Sequence, residues 1–313
     1  MSVCAMEPLS LPEPFRQRVV STWGEQGKAW LERLPALAAA CARQWDLSIH
    51  SPTSDLSYNF TAFVATADGT GAVLKLGVPN PELTTEMAAL HALAGRSVVR
   101  LLAADRQRDA LLLQRVLPGT PLSALSDDEA TAIASSLVRD IPVPVPPTSD
   151  TGPTFPTIAK WARAFDRLRT RSGGGTEPLP SRLVEKAERL FQELEASAPP
   201  AMLLHGDLHH DNVLRDANEG WLAVDPKGVL GDPAYEAARL QHNPIPGFLA
   251  MEHPKGVAQA RLQILASVLE EDRQRLLAWA FFDAMLSACW SVEDGGDWRY
   301  HVSCAELLDT VLA

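Results

Sequence analysis

Between His205 and Asn212 the chain reads His-Gly-Asp-Leu-His-His-Asp-Asn, and Val224-Asp225-Pro226-Lys227-Gly228 follows soon after. Asp207 and Asn212 stand five positions apart. These residue types suit transfer of a phosphoryl group from a nucleotide to a hydroxyl, a reaction that needs positioning and charge neutralisation more than covalent help. A carboxylate, here Asp207, can orient the acceptor hydroxyl and take its proton. Magnesium is a hard cation held by oxygens; Asn212 offers an amide oxygen and Asp225 a carboxylate. Three histidines and two aspartates between positions 205 and 211 also raise a zinc hydrolase site. The run has no His-x-His pair, however, and no downstream histidine cluster completes such a site. His205 alone can be read as bracing a polar loop, but an incidental loop does not account for Asp207, Asn212 and Asp225 together.

The elements that must position these residues are legible around them. Ala201 to Leu204 is a short apolar run that reads as a strand ending at His205. Asp216 to Gly220 is a turn cluster, and Trp221 to Val224 a second strand ending at Asp225. A loop and a hairpin would thus bring Asp207, Asn212 and Asp225 to one place. The spacing is that of the protein-kinase catalytic loop, His-Arg-Asp, four residues, then Asn. Such chemistry also demands a lysine in an apolar strand to clamp phosphates and a helical glutamate to hold it. Ala72-Val73-Leu74-Lys75-Leu76 supplies the first, and the helical segment Thr84 to Leu93 supplies Glu86. Thr84 or Thr85 is the expected cap, with Met87, Leu90 and Leu93 on one face. Taken singly, Lys75 also suits an edge strand and Glu86 the first turn of a helix; their order before the loop favours the paired role.

At this point the chain resembles the aminoglycoside phosphotransferases, and within them the branch of streptomycin 6-phosphotransferases and hydroxyurea phosphotransferases. Leu204 to Asn212 and Trp221 to Gly228 carry the likeness, with Gly231-Asp232-Pro233-Ala234-Tyr235-Glu236, Asn243-Pro244 and Leu286-Ser287-Ala288-Cys289-Trp290. Leu112 to Gly119 looks like the family's interlobe hinge. The resemblance spans about Leu56 to Trp290. It implies an α+β, two-lobed protein-kinase-like fold, with a small antiparallel-sheet lobe over residues 1–116 and a larger, mainly helical lobe over 117–313. It implies Asp207 as catalytic base, Asn212 and Asp225 as magnesium ligands, and Lys75 with Glu86 as nucleotide-phosphate contacts. The backbone from Gln114 through Val116 to Leu117 would receive the adenine. One departure is plain: the stretch from Asp55 to Thr61 has no glycine where protein kinases have a glycine-rich loop. Phosphate contacts there fall to Ser57 or Asn59, and the donor is ATP, with GTP an alternative. Pro226 and Lys227 follow the metal aspartate, so the regulatory flip of protein kinases is not expected to transfer.

Composition bounds the remainder. With 313 residues the chain can bury a large core and split into two lobes. A net charge of -11 argues against nucleic acid and suits a cationic small molecule, though an acidic surface also serves solubility. Cys4, Cys41, Cys289 and Cys304 show no metal spacing, and reduced thiols in a cytoplasm are the simplest account. The amino terminus lacks a signal-peptide pattern, and no run is read as long enough for a membrane helix, so the expectation is a cytoplasmic protein without a membrane partner. Candidate acceptor contacts are Asp232, Glu236 and Trp290, with the acidic loop from Glu293 to Asp297. Asp232 reads equally well as the cap of a following helix, and Trp290 as core. Gly27 to Trp45 reads as a helix on the small lobe after a proline-rich lead-in. Ile141 to Pro147 is too rich in proline for a helix or central strand. Gly173 to Gly175 reads as a turn between helices, and Arg182 to Ala196 as amphipathic. The alternatives kept for function are a kinase of hydroxyurea or another metabolite, and an inactive nucleotide-binding protein. Sequence does not fix the oligomeric state.

Overall fold

The computed structural model describes residues 11–53, 56–146 and 154–312. Expectations resting on residues 1–10, Asp55 or Pro147 lie outside them. The chain divides into two compact units, residues 1–91 with 99–115, and residues 92–98 with 116–313.

The first unit comprises α1 (Glu13–Gln44), β1 (Ser48–Pro52), β2 (Phe60–Ala65), β3 (Gly71–Leu76), α2 (Pro81–Ala92), β4 (Leu101–Asp105) and β5 (Ala110–Gln114). The strands form one sheet in the order β1-β2-β3-β5-β4, every pair antiparallel. Period-two alternation sends Phe60, Ala62 and Val64 of β2, and Ala72, Leu74 and Leu76 of β3, to one buried face. There they pack on Phe15, Val19, Trp30, Leu34, Ala38 and Cys41 of α1. The helix expected from Gly27 in fact begins at Glu13, with a break at Gly24, where φ is 54° and ψ -130°. The lead-in reading overlooked that proline in a first helical turn loses no hydrogen bond; Pro14 sits there, and Phe15 and Val19 are buried beyond it.

The cap of α2 also differs from expectation. Thr84 and Thr85 lie inside the helix. Asn80 precedes it, and its Oδ1 accepts from the backbone N–H of Glu82 at 2.8 Å and of Leu83 at 3.3 Å. This earlier start moves Glu86 out of the first turn and onto the buried face with Leu83, Met87 and Leu90.

The second unit holds β6 (Pro118–Pro121), α3 (Asp127–Asp140), β7 (Val143–Pro144), α4 (Ile158–Arg171), α5 (Ser181–Ala196), β8 (Met202–Leu204), β9 (Val213–Asp216), β10 (Gly220–Ala223), β11 (Val229–Gly231), α6 (Pro254–Leu269), α7 (Arg273–Glu293) and α8 (Arg299–Leu312). Two small sheets run β10-β9-β6 and β11-β8-β7. The proline-rich stretch supplies β7, which among the described residues pairs only with β8, so its prolines stay at an edge. The Asp216 to Gly220 turn forms because Asp216 Oδ1 accepts from the N–H of Asn218 at 2.9 Å and of Glu219 at 3.0 Å.

Helix α7 is the centre of this unit, buried continuously from Leu276 to Cys289. Contrary to expectation, it is long and apolar enough to cross a membrane, although 78% of that window is buried inside the protein. Its aromatic neighbours interlock: Tyr235 lies edge-on to Trp279 at 5.3 Å, and Phe191 stacks on Phe282 at 4.9 Å.

Replacing the cap of the helix that carries Glu86, Asn80→Ala, should lower stability by about 1 kcal/mol. Chemical denaturation checks this; an unchanged midpoint would show that α2 does not depend on Asn80.

Candidate active site

In the first unit the alternation of β3 puts Lys75 on the face opposite Leu74 and Leu76, yet its side chain is only 2% exposed. Its Nζ donates to both carboxylate oxygens of Glu86, at 2.7 and 2.8 Å. A buried lysine is tolerated only when paired, so the edge-strand reading of Lys75 fails. Ser57 lies in an exposed bend, its carbonyl accepting from Arg18 Nη1 at 3.4 Å. Gln114 is almost buried, and its Oε1 accepts from the Arg100 N–H at 3.1 Å.

Past β5, the Leu117 N–H is taken by Asp216 Oδ2 at 3.3 Å and the Leu117 carbonyl by Ala217 N–H at 2.7 Å. Both lie in the segment expected to receive adenine and are already engaged. Among the described residues, the N–H and carbonyl of Val116 have no hydrogen-bond partner.

The second unit gathers the loop residues. His205 ends β8 fully buried and uses four polar groups at once. Its N–H donates to Glu236 Oε2 at 2.7 Å, and its carbonyl accepts from Lys227 N–H at 2.8 Å. Its Nε2 meets the Val224 carbonyl at 2.8 Å, and its Nδ1 accepts from the Asp207 N–H at 3.2 Å. The ring is therefore the neutral tautomer with hydrogen on Nε2. Burial pushes its pKa down to about 4. Gly206 follows at φ 80°, and a Cβ there would meet Val229 Cγ1 at 2.8 Å and the Trp161 ring at 3.0 Å. Only glycine suits both the conformation and the space.

Asn212 turns back on the loop: its Nδ2 donates to the Asp207 carbonyl at 3.0 Å and touches Asp207 Oδ2 at 3.4 Å. With the amide nitrogen committed, the amide oxygen is left for a cation. The Asn212 carbonyl accepts from Val224 N–H at 2.9 Å, which fixes the residue before Asp225. Asp225 itself is at φ 61°, left-handed for a residue with a side chain. Such strain persists where the surroundings impose it and clusters at functional sites. Among the described residues, no group of three or more His, Cys, Asp or Glu could hold a metal ion. Magnesium does not need one, since one or two protein oxygens with substrate phosphates suffice, and the donors of Asn212 and Asp225 fit that pattern.

The acids expected near the acceptor are spoken for. Asp232 is 2% exposed. It caps the turn at Ala234, pairs with Arg275 and accepts from Trp279 Nε1 at 2.8 Å, so the capping alternative holds and no oxygen faces a ligand. Glu236 is equally buried. It braces the loop of Asp207 through the N–H groups of His205 and Gly206, the latter at 3.0 Å. Burial pushes its carboxyl up to about 7 against those two hydrogen bonds. Glu293 pairs with Arg167 at 2.7 Å. Trp290 is half-buried, edge-on to Trp161 at 5.6 Å, with the Arg239 guanidinium 5.9 Å from its ring centre.

Two residues beside Asp207 escaped sequence reasoning. Arg239 Nε lies 3.3 Å from Asp207 Oδ1, and its Nη2 lies 3.3 Å from Asp283 Oδ1. Asp283 is 1% exposed and accepts from Tyr235 Oη at 2.5 Å and His242 Nε2 at 2.7 Å. Burial acts against the Asp283 carboxylate, but Arg239, His242 and Tyr235 overcome it and hold its pKa far below the usual range. The available signal was a lone aspartate in the apolar stretch Ala278 to Trp290: a buried charge requires a partner.

The family model described as aminoglycoside/hydroxyurea antibiotic resistance kinase matches residues 51–295. The chain belongs to this family. It is 30% identical over 299 residues to a streptomycin 6-kinase of Streptomyces glaucescens, covering 92% of each chain. It is 33% identical to a hydroxyurea phosphotransferase of Kitasatospora aureofaciens, covering 87% of this chain and 77% of that one. Among solved structures, a thermostable mutant of the aminoglycoside phosphotransferase APH(4)-Ia, in ternary complex with ADP and hygromycin B, matches with a TM-score of 0.62 at 15% identity. That match covers 88% of this chain and 97% of the other. The two-lobed protein-kinase-like fold expected of this resistance kinase family is thus the fold observed, an antiparallel sheet unit followed by a mainly helical one.

The buried ionisable groups of this kinase set opposing pH dependences. His205 and His301 are held near 4 by burial, while the unfolded chain protonates them near 6.5, so their contribution is lost as pH falls from 6.5 towards 4. Glu236 works the other way: its folded pKa of about 7 exceeds the unfolded 4.5, so its contribution is lost as pH rises from 4.5 to about 7. Glu236→Gln should therefore make stability fall more steeply on acidification between pH 6.5 and 4.5. Parallel pH profiles of denaturation midpoint for the two proteins would refute this.

Proposed function

We propose that this chain is a kinase that transfers the γ-phosphate of ATP to a hydroxyl of an aminoglycoside, streptomycin, and thereby inactivates it. The observation that carries this reading is the 30% identity to streptomycin 6-kinases of two Streptomyces species over 92% of both chains. The hydrogen-bonded Asp207 and Asn212 pair gives it a chemical basis. Phosphorylation would place negative charge and bulk on a cationic ligand, which opposes binding at an anionic target.

In this reading Asp207 orients the acceptor hydroxyl and takes its proton as the new phosphate ester bond forms. The bond from the γ-phosphorus to the bridging oxygen breaks, and ADP leaves with that electron pair. Lys75, fixed by Glu86, would neutralise nucleotide phosphate charge. Val116 would offer its backbone to the adenine, with Gln114 behind it, and Ser57 would lie near the phosphates. Asn212 and Asp225 would hold magnesium, which when bound supplies charge neutralisation between the phosphates. ATP is preferred to GTP as donor, and the protein is assigned to the cytoplasm, where that donor is abundant. Trp290 is the remaining acceptor contact of the three expected, since Asp232 and Glu236 are committed to the fold. The 33% identity to a hydroxyurea phosphotransferase supports a second reading with the same chemistry and hydroxyurea as acceptor.

Purified protein with ATP and magnesium should consume nucleotide in a streptomycin-dependent way and yield a monophosphorylated product by mass spectrometry. Turnover with hydroxyurea but not streptomycin would move the acceptor; nucleotide binding without turnover on any acceptor would make the protein an inactive binder. Asp207→Asn should lower kcat by about 10²–10⁴-fold with nucleotide affinity retained; near-normal turnover would remove Asp207 from its role. Asp225→Ala should abolish the magnesium dependence of nucleotide binding in a titration; an unaltered dependence would overturn its assignment.

A further inference from the structure

We propose that Arg239 is the positioning residue of Asp207, and that Asp283 at the centre of the helical unit sets its position. The inference rests on the reading of Asp207 as the base, and deepens it.

The geometry forms a chain of alternating charge. Asp207 Oδ1 faces Arg239 Nε at 3.3 Å, Arg239 Nη2 faces Asp283 Oδ1 at 3.3 Å, and Asp283 is anchored in turn by Tyr235 and His242. Arg239 is fixed from several sides. Its own carbonyl accepts from Asn243 Nδ2 at 2.9 Å. The carbonyls of Leu240 and Asn243 are both held by Nη1 of the fully buried Arg261 at 2.6 Å. Trp290 lies near the guanidinium, and Trp161 packs edge-on against Trp290. The Arg239 side chain is 18% exposed, so it reaches solvent only at one end.

The two oxygens of Asp207 are therefore unequal. Oδ1 points to a fixed guanidinium. Oδ2 accepts from Asn212 Nδ2 at 3.4 Å and lies 3.8 Å from Lys227 Nζ. With Oδ1 turned to the guanidinium, Oδ2 is the oxygen assigned to receive an acceptor proton, while Arg239 restrains rotation of the carboxylate about its Cβ–Cγ bond. A buried acid costs desolvation free energy, and buried ion pairs often add little stability. An acid kept at the centre of an apolar helix therefore calls for a reason beyond packing, and aiming the base is one. A displacement of about 1 Å at a reacting group can lower rate about 10²-fold.

The test uses the full-length enzyme with the acceptor on which it turns over. Arg239→Ala should lower kcat by about 10- to 100-fold and leave KM for ATP and for the acceptor within about twofold. Added guanidinium ion should recover about tenfold of the lost kcat by entering the vacated space. Because Arg239→Ala leaves Asp283 short of a partner and can unfold the protein, Arg239→Lys is measured beside it. It keeps the charge but loses the fork, and should fold with kcat between the two. Asp283→Asn should lower kcat likewise, and the Arg239→Ala, Asp283→Asn double variant should be no slower than Arg239→Ala alone. An unchanged kcat in a folded Arg239 variant overturns the proposal, as does a rise confined to acceptor KM, which would make Arg239 a substrate contact. Asp207→Asn separates the underlying reading: if that variant turns over normally, the base assignment has failed, whereas an inactive Asp207→Asn beside a fully active Arg239→Lys and Arg239→Ala fails this proposal alone.

Discussion

The burial of one neutral histidine ties the loop of Asp207 to the segments around Asp225 and Glu236. His205 sits at the end of β8 with no exposure and four hydrogen bonds, and each leads to a different segment. Its amide reaches Glu236, its carbonyl the turn after Asp225, its ring one nitrogen to the strand before Asp225 and the other to Asp207. A protonated imidazole would have no lone pair on Nδ1 to accept from the Asp207 N–H, so the low pKa that burial imposes agrees with the geometry. The left-handed Asp225 and the glycine at 206 follow from the same tight crossing, where the chain has no room to relax.

A second constraint runs from the interior outward. Helix α7 carries one acid through a wholly apolar core, and the acid collects Tyr235, His242 and Arg239. Both carboxylate oxygens of Asp283 are satisfied, whereas Nδ1 of His242 in the same network is buried without a hydrogen-bond partner among the described residues. The network ends at Asp207, at the edge of the buried region. Asp207 is thus linked through Arg239 to the buried stretch of α7.

The acidic composition does not translate into an acidic site. Asp232 pairs with Arg275, Glu236 accepts backbone N–H groups, and Glu293 pairs with Arg167. The charged side chains that pair with Asp207 are instead the cations Arg239 and Lys227. A net charge of -11 therefore describes the surface at large, and long-range attraction for a cation is separate from what surrounds the reacting hydroxyl.

Local physics wrote much of this protein into its sequence. Alternation in β2 and β3 placed Ala72, Leu74 and Leu76 on one buried face and Lys75 on the other. The turn residues between Asp216 and Gly220 set the hairpin, and the five-residue spacing from Asp207 to Asn212 closed the loop through a hydrogen bond. These features depend on neighbours close in the chain, where residue type and spacing fix geometry. The cap at Asn80 and the helix before Gly24 were local too, but their signals, an asparagine before a proline and a proline in a first turn, were outweighed by nearer threonines and prolines. Tertiary structure alone decided the fates of Asp232 and Glu236, which look like site acids in sequence and prove to be a cap and a brace. It alone joined Arg239 and Asp283 to Asp207, because charges on segments far apart in the chain pair only where folding brings them together and removes them from water.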